Sequence, residues 1–297
     1  MTTTMVTTPD GRTLEVQDAG PDDGYPLVFH FGTPSAAVDL PFLTGPAQAR
    51  GLRVISCSRP GYGGSTPRPE GATSSTVADD VADTRTILDH LGIDDFVTIG
   101  WSGGGPRALG CAALLPDRCR AAASVAGIAP DTEIDWDVRE GMAPENVEEF
   151  TAVREGPEAL DAFLQTQSGL FSVTAEHLAE SLGGLAPEAD RAVLTGEVAE
   201  ALASCFRAAG RQGTIGWRDD DLTLFRPWGF DVSAIDVPVA VWAGTVDTMV
   251  PVRHGEWLGA HVSGARTHLL EGEGHISLMV GCERILDDLH DLAGMDR

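Results

Sequence analysis

The stretch Phe96-Val97-Thr98-Ile99-Gly100-Trp101-Ser102-Gly103-Gly104-Gly105-Pro106 decides how this chain is read. An aromatic and β-branched run (Phe96, Val97, Ile99) enters Gly100-Trp101-Ser102-Gly103-Gly104, and an alanine- and leucine-rich segment follows at 107–115. These signals predict a strand, a one-residue turn and a helix, with a serine at the turn. Backbone at such a turn is strained, so the residues two before and two after the serine must be small for strand and helix to pass. Gly100 and Gly104 meet that demand. Pro106 suits a first helical turn, where its missing N–H costs nothing. The hydroxyl then projects at a helix N-terminus, where N–H groups and the helix dipole favour developing negative charge. That is a place for a nucleophile.

With 35 glycines in 297 residues, Gly-x-Ser-x-Gly alone is a weak signal, and the rest of the chain must carry it. Hydrophobic residues make up 42% and charged residues 22%, a globular composition with material for a large core. The net charge of −25 disfavours phosphate backbones and anionic lipid, so no nucleic-acid or membrane partner is expected. All 20 basic residues are arginine. No apolar run reaches a membrane span of about 20 residues, and the N-terminus lacks the basic and apolar regions of a signal peptide, so a cytoplasmic location is expected. Cys57, Cys111, Cys119, Cys205 and Cys282 show no Cys-x-x-Cys spacing and read as small buried or half-buried residues. The eight histidines form no metal motif, and neither a metal nor a cofactor is expected. Oligomeric state is not legible.

Taken in order, β-prone segments at 5–8 and 13–17 flank Pro9-Asp10-Gly11-Arg12, the chemistry of a hairpin turn. Buried strands are predicted at 26–31, 53–58 and 120–128, and helices at 41–50 and from Thr76 to a stop at Gly92. This alternation predicts an α/β fold with a mostly parallel sheet covered by helices on both faces, whose ligands bind at the strands' C-terminal ends. From 131 to 231 the rhythm breaks into an acidic, helix-prone stretch, with helices predicted at 145–153, 158–166, 175–182 and 189–207. Its large apolar residues, Trp136 and Met142 among them, either line a pocket or seat the stretch on the sheet. Strands at 237–243 and 267–270 and helices at 253–261 and 276–292 complete the chain.

A serine hydroxyl needs a base within reach, and the base needs an orienting carboxylate. Ser102, Asp247 and His275 each follow a predicted strand at one sheet edge, in that order. Asp131 also follows a strand end and competes for the acid role. His254, His261, His268 and His290 fall within helices or a strand and read as solvated or core residues; His30 is open between core and site.

This order, with the nucleophile on a strand-to-helix elbow, resembles the α/β-hydrolase fold family, in its cap-bearing serine esterase branch. Phe31-Gly32-Thr33-Pro34 is similar to the family's His-Gly-x-Pro oxyanion loop, with Phe31 in the histidine's place, and Arg59-Pro60-Gly61-Tyr62-Gly63-Gly64-Ser65 resembles the loop after the next strand. Asp247 and Gly274-His275 match the acid and histidine segments. The resemblance implies an α/β-hydrolase core over residues 1–130 and 232–297 and a helical cap insertion over 131–231. It implies Ser102 as nucleophile, His275 as general base and then acid, and Asp247 as its orienting carboxylate. The N–H groups of Thr33 and Gly103 would form the oxyanion hole. Phe31, Gly32, Trp101, Trp136 and Met142 are the candidates for the pocket. The implied reaction is cleavage of a small-molecule acyl substrate, an ester or a related lactone or thioester, through an acyl-serine intermediate. Two alternatives stand beside it. One is an aminopeptidase similar to proline iminopeptidases, with Glu145, Glu148 and Glu149 to hold an amine; the other is a ligand receptor that keeps the fold and pocket with slow turnover or none.

Overall fold

The chain opens on an antiparallel hairpin, β1 (Thr2–Thr7) and β2 (Thr13–Ala19), in a computed structural model that describes residues 1–69 and 75–295. The hairpin turns where Pro-Asp-Gly lies, with Gly11 at φ 88°. Strands and helices then alternate as the periodicity predicts: β3 (Tyr25–His30), α1 (Pro41–Gln48), β4 (Leu52–Cys57), α2 (Val77–Leu91), β5 (Phe96–Trp101), α3 (Gly105–Leu114) and β6 (Cys119–Val125). Helix α2 starts and stops by local chemistry. The Asp79 carboxylate accepts the Thr76 N–H at 2.8 Å, and Gly92 ends the helix in the left-handed region at φ 65°.

Between β6 and the next strand the described chain is helical: α4 (Pro144–Glu155), α5 (Pro157–Gln167), the single turn α6 (Leu178–Ser181), α7 (Glu188–Val193), α8 (Gly196–Ala209) and α9 (Ile215–Leu224). The helix predicted at 189–207 is two, α7 and α8, because the chain leaves helical geometry at Leu194 (ψ 58°) and is extended at Thr195 (φ −133°, ψ 158°) before Gly196, at φ 51°, opens α8. The one predicted at 175–182 is a 3₁₀ turn followed by α6, and α9 was not predicted at all. The chain closes with β7 (Val239–Gly244), α10 (Val252–His261), β8 (Arg266–Leu270), α11 (His275–Val280) and α12 (Glu283–Ala293). The helix predicted at 276–292 is therefore also two, parted at Gly281 and Cys282.

The sheet runs β1-β2-β4-β3-β5-β6-β7-β8, parallel from β4 to β8, with β2 antiparallel to its neighbours. Alternate strand residues feed two cores. Val28, Phe96 and Val241 pack with α2, α3 and α10 on one face; Phe29, Val97 and Trp242 pack with α1 and α12 on the other. This is the α/β architecture read from the sequence, a mostly parallel sheet between two helical layers. Among the described residues no helix is long and apolar enough to cross a membrane.

Register places the strand ends together. His30 pairs with Gly100, Trp101 with Val125, and Gly244 with Leu270. The residues that follow (Phe31, Ser102, Ala126, Thr245 and Glu271) therefore leave the sheet along one edge, beneath the helical stretch.

Candidate active site

Ser102 sits at the tip of a turn that only small neighbours permit. Its φ is 58°, a left-handed value that is strained for a serine and held by the strand below and the helix above. A Cβ on Gly100 would lie 2.1 Å from the Gly104 carbonyl oxygen, and one on Gly104 would lie 2.1 Å from that of His30. The loop after β3 closes on the same turn. A Cβ on Gly32 would stand 3.0 Å from the Ser102 Cβ, and one on Gly103 2.7 Å from the Thr33 Oγ1. Two backbone segments are thus packed against the serine with no side chain between them.

Asp247 and His275 meet although 28 residues separate them, because β7 and β8 are neighbours and each residue follows its strand. The buried His275 Nδ1 donates to Asp247 Oδ2 at 2.7 Å. A carboxylate only accepts, so the proton lies on Nδ1 and Nε2 is left as the basic nitrogen. The other carboxylate oxygen, Oδ1, accepts the N–H groups of Met249 and Val250, both at 2.8 Å. Burial alone would depress the imidazole pKa, yet the charge and hydrogen bond of Asp247, with Asp190 adding to them, hold it above the ordinary histidine value. Trp101 donates its indole N–H to the His275 carbonyl at 3.1 Å.

Ser102, His275, Gly32, Thr33, Gly103 and Trp101 line one cavity of about 410 Å³. The rest of its wall comes largely from the helical stretch and is mainly apolar, with Phe150, Phe163, Leu202 and Leu224. Polar residues, Glu145, Asn146 and Gln167 among them, interrupt that wall. Glu149 and Asp221 face each other there, and the Trp217 indole donates to Glu149 Oε1 at 2.6 Å. Burial first, then the Glu149 charge, pushes Asp221 well above the ordinary carboxylate range, and burial raises Glu149 as well. Two facing buried carboxyl groups resist ionising together, so each keeps its proton to higher pH than a free carboxyl does.

The other sequence candidates lie elsewhere. Of the pocket candidates, Phe31, Trp136 and Met142 do not line the cavity. Phe31 is two residues beyond Phe29 and shares its side of the sheet, so the rings pack edge to face at 4.9 Å in the core. Trp136 is occupied by His254, at 4.8 Å between centroids, and by the Arg253 guanidinium at 4.4 Å. Met142 is buried in the core on the α2 face. Asp131 pairs with Arg154 at 2.7 Å rather than with the histidine. His30 is a core residue, its Nε2 3.5 Å from the Cys111 Sγ, and burial depresses its pKa to about 3. His254 is tied to the Ala129 N–H and the Val138 carbonyl, both at 3.1 Å. Among the described residues no group of three or more His, Cys, Asp or Glu side chains is placed to hold a metal ion.

Sequence reasoning missed Asp190, Asp220, Asp221 and the roles of Arg59 and Arg107. One signal was present. Trp217, Asp220, Asp221 and Leu224 fall at i, i+3, i+4 and i+7, so an apolar helical face carries two aspartates into the interior. In α9 that face turns toward the sheet edge.

Residues 25–281 match the model of the alpha/beta hydrolase fold family. The chain is 32% identical over 259 residues to a non-heme chloroperoxidase of Streptomyces lividans, covering 83% of each chain. It is 33% identical over 112 residues to a bifunctional esterase/perhydrolase of Acinetobacter calcoaceticus, covering 38% of this chain and 40% of that one. The crystal structure of a bromoperoxidase from Bacillus anthracis superposes with a TM-score of 0.70 at 20% identity, over 99% of this chain and all of that one.

Proposed function

The chain belongs to the alpha/beta hydrolase fold family and is a hydrolase, and from that premise we propose that it cleaves carboxylic esters or related lactones and thioesters through an acyl-serine intermediate. The observation that carries this reading is the Asp247–His275 hydrogen bond opening onto the cavity that also holds the strained Ser102. In this reading His275 Nε2 takes the Ser102 proton as Oγ attacks the acyl carbon, and the imidazolium then protonates the leaving alkoxide. Asp247 keeps the imidazole in the tautomer that leaves Nε2 free. The N–H groups of Thr33 and Gly103 receive the oxyanion; such a donor is worth about 2.7–4 kcal/mol in the transition state. Water activated by the same nitrogen releases the acid. Residues 131–231 act as a cap, and the apolar wall they supply suits a small-molecule acyl group.

The relatives named for peroxidase and perhydrolase activity favour one second reading, in which hydrogen peroxide replaces water. The acyl–Oγ bond then breaks in favour of an acyl–peroxide bond, releasing a peroxyacid and the free serine.

The test is acylation of Ser102. Incubation with a library of esters, lactones and thioesters is expected to leave an acyl group on the Ser102 peptide by mass spectrometry. Ser102→Ala is expected to abolish both adduct and turnover. Full turnover of p-nitrophenyl esters by Ser102→Ala would end the proposal. Peroxyacid formation on adding peroxide, and release of proline from prolyl-naphthylamide, in the same assay separate the peroxide and aminopeptidase readings from simple ester hydrolysis.

A further inference from the structure

Asp220, in the middle of α9, is 6% exposed and is the meeting point of two buried arginines. Its Oδ1 accepts Arg59 Nε at 2.9 Å and Arg107 Nη2 at 3.1 Å. Its Oδ2 accepts the Thr33 hydroxyl at 2.8 Å, the Tyr62 hydroxyl at 3.1 Å and Arg59 Nη2. Each arginine also holds backbone of the proposed site. Arg59 donates to the carbonyl oxygens of Phe31 (2.7 Å) and Gly32 (2.8 Å), and Arg107 donates to that of Gly103 (2.6 Å). Asp80 balances the second guanidinium, accepting Arg107 Nε at 2.9 Å.

The geometry matters because a trans peptide is planar, so its C=O and N–H point in opposite directions. The Gly32 carbonyl and the Thr33 N–H belong to one such plane. Fixing the carbonyl on Arg59 therefore aims the N–H, and Arg59 is itself fixed by Asp220. Arg107 holds the next peptide of the elbow, that of the Gly103 carbonyl and the Gly104 N–H, which adjoins the one carrying the Gly103 N–H. We infer that Asp220 is a positioning residue, through which the helical stretch aligns the oxyanion loop with the elbow by way of Arg59 and Arg107. It touches no reacting atom. The inference rests on the proposed serine chemistry for its kinetic consequence, but the positioning itself is a property of the loops.

Asp220→Asn keeps the shape and removes the charge that organises both guanidiniums. Since small misplacements at a reacting centre can cost about 100-fold, kcat for an ester is expected to fall about 10- to 100-fold, with KM kept within about threefold. Affinity for a trifluoromethyl ketone, whose adduct with Ser102 carries an oxyanion, is expected to fall by the same factor as kcat/KM. Hydrogen exchange of peptides spanning 31–35 and 102–107 is expected to accelerate, while β7 and β8 are unchanged. If Asp220→Asn does not fold, Thr33→Val carries the test, since it removes one hydroxyl from the carboxylate and keeps the Thr33 N–H; a several-fold loss in kcat at constant KM is expected. Unchanged exchange in both peptides, or a kcat loss with ketone affinity preserved, would overturn the inference. Should the wild type turn over no acyl substrate, the functional proposal falls and the exchange measurement still decides this one.

Discussion

The Asp190 carboxylate, on α7 of the helical stretch, accepts the backbone N–H of His275 at 3.0 Å, with the N–H groups of Ile276 and Ser277 on its other oxygen at 2.9 Å each. The base of the proposed triad is therefore held from outside the sheet. Loss of such a cap typically costs about 1–2 kcal/mol, and Asp190→Ala is expected to lower thermal stability by that order. Its charge also favours the imidazolium. The base works when neutral, so the rate rises with pH through the His275 pKa. Removing Asp190 lowers that pKa, and the acid limb of kcat/KM is expected to move to lower pH. A limb that stays in place or moves up would show that Asp190 does not act on the base.

Asp247→Asn leaves an oxygen for the Met249 and Val250 N–H groups but no longer fixes the proton on Nδ1. A drop in kcat of roughly 10⁴-fold is expected, with the melting temperature little changed. Steady-state kinetics with circular dichroism melting checks both halves.

The glycines around Ser102 separate packing from chemistry. Gly104→Ala drives a Cβ to 2.1 Å from a backbone oxygen, which cannot yield, and a loss of about 3 kcal/mol or more is expected in urea unfolding. Gly32→Ala meets the Ser102 Cβ at 3.0 Å, where a small shift relieves the contact. It is expected to cost little stability and much activity, because the atom displaced belongs to the nucleophile.

Asp221→Asn replaces one carboxyl of the facing buried pair by a group that needs no proton. Because the folded pKa of Asp221 lies above the unfolded one, the folded state binds more protons. Wild-type stability therefore declines as pH rises from the ordinary carboxylate pKa toward the folded one, at about 1.4 kcal/mol for each tenfold displacement in proton affinity. The variant is expected to melt higher than the wild type at pH 8, with the advantage shrinking toward pH 4. Melting curves across that range decide it.

Much of the sheet was legible because its signals are local. Short apolar runs closed by Gly, Pro and Asp give strands and turns whatever surrounds them, and Thr76 with Asp79 and Gly92 marks both ends of α2. Where helices were misjoined, between Val193 and Gly196 and between Val280 and Glu283, helix-forming composition on both sides hid a break of two residues. Helix α9 escaped because Trp217, Asp220, Asp221 and Leu224 mix apolar and acidic residues on one face, and an acidic face reads as solvated until its partners are known.

By itself the sequence determined the α/β alternation, the elbow around Ser102, and the order in which Ser102, Asp247 and His275 leave their strands, since each depends on residues adjacent in the chain. Only the tertiary structure decided that Asp247 rather than Asp131 bonds His275, that Phe31 and Met142 face the core while Trp136 packs on His254 and Arg253, and that Asp190 and Asp220 reach in from the helical stretch. The physical reason is that buried charge is tolerable only beside its counter-charge or its hydrogen-bond donors. Those partners lie 85 to 87 residues from Asp190 and up to 187 residues from Asp220, so no local pattern carries them.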